Sequence, residues 1–107
     1  GNLDTWRDWG WAPEYVEAMY LIMHSPKPED YIIATGVTNS LKDFVSIAFK
    51  KFNLDESKFV IIDEKLLRPS DIKYSYLDPS KIYKNLNWKS EKNLEKIIDS
   101  MFEEFIN

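Results

Sequence analysis

The 107 residues carry a net charge of −4, with 44% hydrophobic and 15% aromatic side chains, three glycines and no cysteine. That balance argues for one folded unit with a modest core, and it excludes a disulfide frame or a thiolate metal site. The single histidine, His24, leaves no His-rich zinc set, and interspersed acids and bases argue against a general nucleic-acid surface.

No stretch approaches the ~20 apolar residues that span a bilayer, and no leader pattern opens the chain, so no membrane partner is expected. In chain order, residues 1–11 read as an extended lead-in. Pro13 suits a first helical turn, and Tyr15, Val16, Met19, Ile22 and Met23 recur at helical spacing, which predicts a helix over 13–24 with one apolar face. Ser25-Pro26-Lys27-Pro28 stops it. The short apolar run 31–34 predicts a buried strand, followed by a loop around Gly36. Ser40 is a good N-cap for a helix over 41–52 with the stripe Leu41, Phe44, Val45, Ala48, Phe49, Phe52. Residues 59–62 predict a second strand and 72–77 a third, with a turn-like loop at Arg68-Pro69-Ser70-Asp71 between them. Asp78 and Pro79 open a short helix carrying Ile82, Tyr83 and Leu86. Ser90 is expected to cap a last helix with the core stripe Leu94, Ile97, Ile98, Met101, Phe102 and Phe105. This is an α/β pattern of about four helices and about three short strands. Such scattered strands make a poor sheet on their own, and the chain supplies too few neighbours to cover the strand at 31–34 on both faces.

Glycines at positions 1, 10 and 36 have no spacing that builds a phosphate loop, no Tyr is followed by Lys four residues on, and one His beside a Pro-rich loop makes no Ser/His/Asp set. Two constellations remain. Arg7, in Asp4-Thr5-Trp6-Arg7-Asp8-Trp9-Gly10-Trp11, offers a planar fork suited to phosphate oxygens, just ahead of a helix N-terminus; Asp8 could fix neighbouring chain through backbone bonds. Arg68 and Asp71 lie three residues apart on a rigid loop, where the Arg suits a phosphate and the carboxylate a sugar diol. Each also has a plainer reading, as a packed lead-in and as a turn with a local ion pair.

Together these segments resemble the GDP-mannose 4,6-dehydratase family of extended short-chain dehydrogenase/reductases. The resemblance rests on Gly1-Asn2-Leu3-Asp4-Thr5-Trp6-Arg7-Asp8-Trp9-Gly10-Trp11-Ala12, on Tyr31-Ile32-Ile33-Ala34-Thr35-Gly36 followed by Ser40, on Arg68-Pro69-Ser70-Asp71, and on Asp78-Pro79-Ser80-Lys81 with Leu86-Asn87-Trp88. It runs in order along nearly the whole chain. It implies that residues 1–107 are one C-terminal substrate-binding portion, lacking the N-terminal Rossmann domain. That domain would hold NADP and the Thr, Glu, Tyr and Lys catalysts. There the family reaction oxidises C4 of the hexose, eliminates water across C5–C6 and returns hydride to C6. The resemblance further implies that Arg7 and Arg68 contact the diphosphate of a GDP-sugar and that Asp71 bonds a ribose hydroxyl. It implies a cytoplasmic full-length lyase that forms a homo-oligomer, with this portion alone inactive. Several positions depart from the family pattern. Asp71 is one methylene shorter than the usual Glu, Lys73 replaces an acid, Val37 and Asn39 replace Glu and His, and Leu77 stands where Gly is usual. A GDP-heptose or another GDP-hexose therefore stays open as the ligand, as do an epimerase or reductase of nucleotide sugars, and a stand-alone module anchored by Trp6, Trp9 or Trp11.

Overall fold

The computed structural model describes residues 1–106, as four α-helices joined by long extended and turn segments around one very short ladder. Helix α1 spans Ala12–Met23, with Pro13 in its first turn, where no amide donor is needed, and Glu14 beside the positive end of the dipole. Strand β1 is Trp6–Arg7 and β2 is Asn39–Ser40, paired antiparallel with Trp6 opposite Ser40 and Arg7 opposite Asn39. Helix α2 follows directly at Leu41–Lys51. Ser40 caps it as predicted: its Oγ accepts the Asp43 N–H at 3.0 Å, and the Asp43 carboxylate accepts the Ser40 N–H at 3.4 Å. Helix α3, Ser80–Leu86, starts where the Asp78 carboxylate accepts the Ser80 N–H at 3.0 Å, and it ends at Asn87, left-handed at φ 56°, a conformation Asn tolerates. Helix α4 is Leu94–Ile106.

The helices stand within a residue or so of their predicted places at their starts, except the last. Ser90 is not its cap. Asn93 is, accepting the Lys96 N–H at 2.9 Å on its side chain, while the Ser90 hydroxyl is buried with no partner among the described residues.

The three predicted strands do not form as such. Residues 31–34 run extended but have no ladder partner among the described residues. Ala34 is fully buried and Tyr31 and Ile33 partly so, yet Ile32 is 48% exposed, so the run is covered unevenly and not buried throughout. Residues 59–62 fall to local turn chemistry. Asp55 accepts from the Ser57 amide and hydroxyl, Val60 N–H donates back to the Glu56 carbonyl, and Asp63 repeats the device one turn later. Residues 72–77 keep a single bridge, Tyr74 parallel to Trp6. The ladder that does exist joins the predicted lead-in to the predicted Gly36 loop.

Two apolar faces also differ from their predicted roles. In α1 the core-facing side chains are Tyr15, Ala18, Leu21 and Ile22, whereas Val16, Met19, Tyr20 and Met23 form a second, exposed stripe. The stripes of α2 and α4 are only partly core. Leu94, Ile97 and Ile98 are buried, but no α2 residue is, and Met101 and Phe105 project into solvent. Phe52 and Phe102 meet edge to face at 4.5 Å, and Lys51 pairs with Asp99, which ties α2 to α4.

The main core gathers Ala18, Ile82 and Trp88, with Tyr15, Leu21, Ile22, Tyr31, Ile33 and Leu86 packed round them. Trp88 stands edge-on to Tyr15 at 6.0 Å, and its indole N–H donates to the Glu14 carbonyl at 3.1 Å. The molecule is flat, 52 × 39 × 17 Å, with a radius of gyration of 16.6 Å against ~13 Å for a closed domain of this length. Its accessible surface is 8242 Å² against ~6,200 Å² for a compact monomer of this mass. Short apolar runs with few neighbours leave much of that surplus apolar.

Candidate functional site

The segment Leu3–Arg7 is the spine of the site, because it is bonded along both edges. On one edge the Leu41 N–H donates to the Thr5 carbonyl at 2.8 Å and the Lys42 N–H to the Leu3 carbonyl at 3.1 Å, beside the β1–β2 pair. On the other, the Trp6 N–H donates to the Lys73 carbonyl at 2.7 Å and the Ser75 N–H to the Trp6 carbonyl at 3.1 Å. The Trp6 and Tyr74 rings lie 6.1 Å apart over that seam, and the Thr38 hydroxyl donates to the Ser75 carbonyl at 2.9 Å.

This strapping brings residues far apart in sequence side by side. Arg7 Nη2 lies 3.2 Å from Asp71 Oδ1, and Arg7 Nη1 donates to the Trp6 carbonyl at 2.8 Å. Lys73 Nζ lies 3.2 Å from Asp4 Oδ2, an exposed pair. The hydrogen bond from Lys73, then that from the Trp6 indole and the Lys73 charge, hold the Asp4 carboxyl below its usual range. Lys73, read from sequence as a charge reversal, thus has its acid on the neighbouring segment. Two of the three predicted site residues, Arg7 and Asp71, are therefore in contact. The third, Arg68, is exposed on the same loop, and its side chain has no ion pair among the described residues.

Asp8 bonds backbone as expected, but on the distant 35–36 loop and not on the chain just ahead of α1. Its carboxylate accepts from the Thr35 amide at 3.0 Å, the Thr35 hydroxyl at 2.7 Å and the Gly36 amide at 2.8 Å. Gly36 sits at φ +82°, and a Cβ there would press on Pro79 at 3.3 Å, so any other side chain would be strained at this position. At Gly10 an added Cβ would fall inside the Tyr15 ring. Tyr15 itself is pushed from 10.0 up to about 12, first by desolvation and then by the nearby charges of Asp8 and Glu14.

Sequence reasoning missed Glu14. Its carboxylate accepts the Glu91 and Lys92 amides at 2.6 and 3.1 Å, locking the segment ahead of α4 onto α1. An acid in a first helical turn is too common to single out from sequence. The three tryptophans of the opening segment each have a ring or cation already: Trp6 with Tyr74, Trp9 with Phe44 at 5.4 Å, and Trp11 beneath Lys92.

The larger concavities flank the Arg7–Asp71 contact and do not include it. One, of about 340 Å³, lies between Trp9, Thr35 and Asn93; another, of about 510 Å³, is bounded by Asp4, Trp6, Asp43 and Ile62. The arginine-bearing face is open surface that can hold anions from one side. The Gly36 amide is committed to Asp8, and the space at Gly10 is filled by Tyr15.

Four helices set round a two-residue ladder, with the arginine segment bonded along both edges, make a fold found in solved enzymes. Solved enzymes of that fold superpose on it. The RMD protein of Pseudomonas aeruginosa, solved with NADPH, matches at TM-score 0.81 and 11% identity over 98% of this chain and 33% of its own. UDP-glucose 4-epimerase of Thermotoga maritima, solved with UDP-glucose, matches at 0.80 and 22% over 100% and 34%. The family model described as GDP-mannose 4,6 dehydratase matches residues 1–101, and the chain belongs to that family. GDP-mannose 4,6 dehydratase 2 of Arabidopsis thaliana is 36% identical over 104 residues, 97% of this chain and 28% of that protein. The chain thus spans about a third of the length of the curated relatives it matches.

Proposed function

We propose that residues 1–107 form one unit, the part of a GDP-mannose 4,6-dehydratase that holds the sugar nucleotide. Arg7 and Arg68 bind the diphosphate and Asp71 accepts from a ribose hydroxyl. The observation that carries this reading is the meeting of Arg7 and Asp71, 64 residues apart, on segments strapped together through Trp6, Lys73 and Ser75. An arginine fork and a carboxylate side by side, on open surface, suit a ligand bearing both phosphate and diol.

In this reading the hydride chemistry belongs to NADP, held by other residues of the full-length lyase. The contribution of this unit is orientation. The Asp8 cradle fixes the 35–36 loop, the ladder fixes the Arg7 backbone, and the seam to Lys73 and Ser75 carries the Arg68 loop. The exposed stripe Val16, Met19, Tyr20, Met23 and the surplus surface are where the unit docks on the rest of that enzyme. The full-length protein works in the cytoplasm as a homo-oligomer.

The test is Arg68→Ala in the full-length protein, read by calorimetry with GDP. Loss of a charge-assisted contact weakens binding by about 1.5–3 kcal/mol, roughly tenfold to a hundredfold. Unchanged GDP affinity would remove Arg68 from the site.

A further inference from the structure

Resting on the reading that this face takes diphosphate and ribose, we infer that Asp71 determines ligand specificity by competing with the diphosphate for Arg7. Both terminal nitrogens of Arg7 are engaged, Nη1 on the Trp6 carbonyl at 2.8 Å and Nη2 on Asp71 Oδ1 at 3.2 Å. An anion reaching for this fork must share it with Asp71 or displace it. The pair is easily displaced. Its side chains are 33% and 34% exposed, so water screens it, while a phosphate offers paired charge-assisted bonds to the same fork.

Displacement leaves the Asp71 carboxylate beside a bound anion with no donor of its own. A ligand with a vicinal diol supplies that donor, and a bare diphosphate does not. Asp71 stays within reach after it lets go, because its loop is held independently through the Trp6–Lys73 and Ser75–Trp6 backbone bonds. The carboxylate therefore penalises ligands that are only phosphate and favours those that carry phosphate and hydroxyls together. Arg68, with no acidic partner among the described residues, imposes no such condition.

The test compares inorganic pyrophosphate with GDP by calorimetry on the full-length protein. Asp71→Asn is expected to bind pyrophosphate roughly two- to fivefold tighter, the scale of one exposed ion pair removed. The same variant is expected to bind GDP roughly tenfold more weakly, the scale of a charge-assisted hydrogen bond lost. Asp71→Glu, which restores a carboxylate, should recover the native order of the two ligands. In an Arg7→Ala background, Asp71→Asn should no longer tighten pyrophosphate. A proportional weakening of both ligands in Asp71→Asn would overturn the inference, since a residue that merely supports the loop behaves that way. Equal tightening with and without Arg7 would overturn it too, as a general charge effect. If Arg7→Ala leaves both affinities unchanged, the face itself is wrongly assigned, and the underlying reading fails visibly and separately.

Discussion

The two halves of the molecule are built by different means. Around Trp88, rings and aliphatic side chains from α1, α3 and residues 31–33 close on one another, and Ala18 and Ile82 are wholly buried. Across residues 56–77 no side chain is buried, Ile61 is 89% exposed, and the chain is held by Asx turns, a one-residue bridge and polar or ring contacts such as Ser46 with Glu56 and Tyr74 with Trp6. The candidate ligand face lies on the seam, where Arg7 projects from a rigid segment and Asp71 from the loosely held one. The difference teaches that position is supplied by the packed half and adjustability by the open half, as a site that must exchange an internal ion pair for a ligand requires.

The contrast breaks most readily at its packed end. In urea unfolding of this chain, Trp88→Ala should destabilise by about 3–5 kcal/mol, because the cavity strips packing from Tyr15 and Ile82. Ile61→Ala should change stability by less than about 0.5 kcal/mol. Equal losses at the two positions would erase the distinction.

A titration sharpens it. The Tyr15 phenol is raised in the folded state, so its contribution to stability is complete below pH 10.0 and is lost as pH climbs through about 12. Alkaline unfolding followed by circular dichroism should therefore show a loss of stability across that window. Tyr15→Phe should abolish this part of the pH dependence.

The smallest effect is expected on the open side. Lys73→Glu removes the exposed pair with Asp4 and sets two acids facing each other, yet the backbone bonds of Trp6 to this strip remain. The urea midpoint should hardly move, while amide exchange at Ser75 quickens. A large drop in the midpoint would show that side-chain charge, and not the backbone seam, secures the strip.

What could be read from sequence follows the range of the interactions. The Ser40 cap was legible because its partner Asp43 is three residues away, and the starts of α1 and α3 because Pro13 and Asp78-Pro79 act within one turn. Asp8 was legible as an anchor, but its targets Thr35 and Gly36 were not. The strands failed for the opposite reason. Apolar content marks a strand only when a partner lies alongside, and the actual ladder, two residues long, is too short to show alternation. Arg7, Arg68 and Asp71 stood out by their side-chain chemistry, and the ordered resemblance supplied their expected roles. That Arg7 and Asp71 pair with each other depends on the Trp6–Lys73 seam, which no local pattern announces.

The central claim is that residues 4–8 and 68–75 together hold the nucleotide part of a GDP-sugar. Hydrogen exchange of the full-length protein with and without GDP tests it most directly. We expect GDP to slow exchange in both of those segments and to leave α4 unchanged; protection confined to other parts of the chain, with neither segment affected, would contradict it.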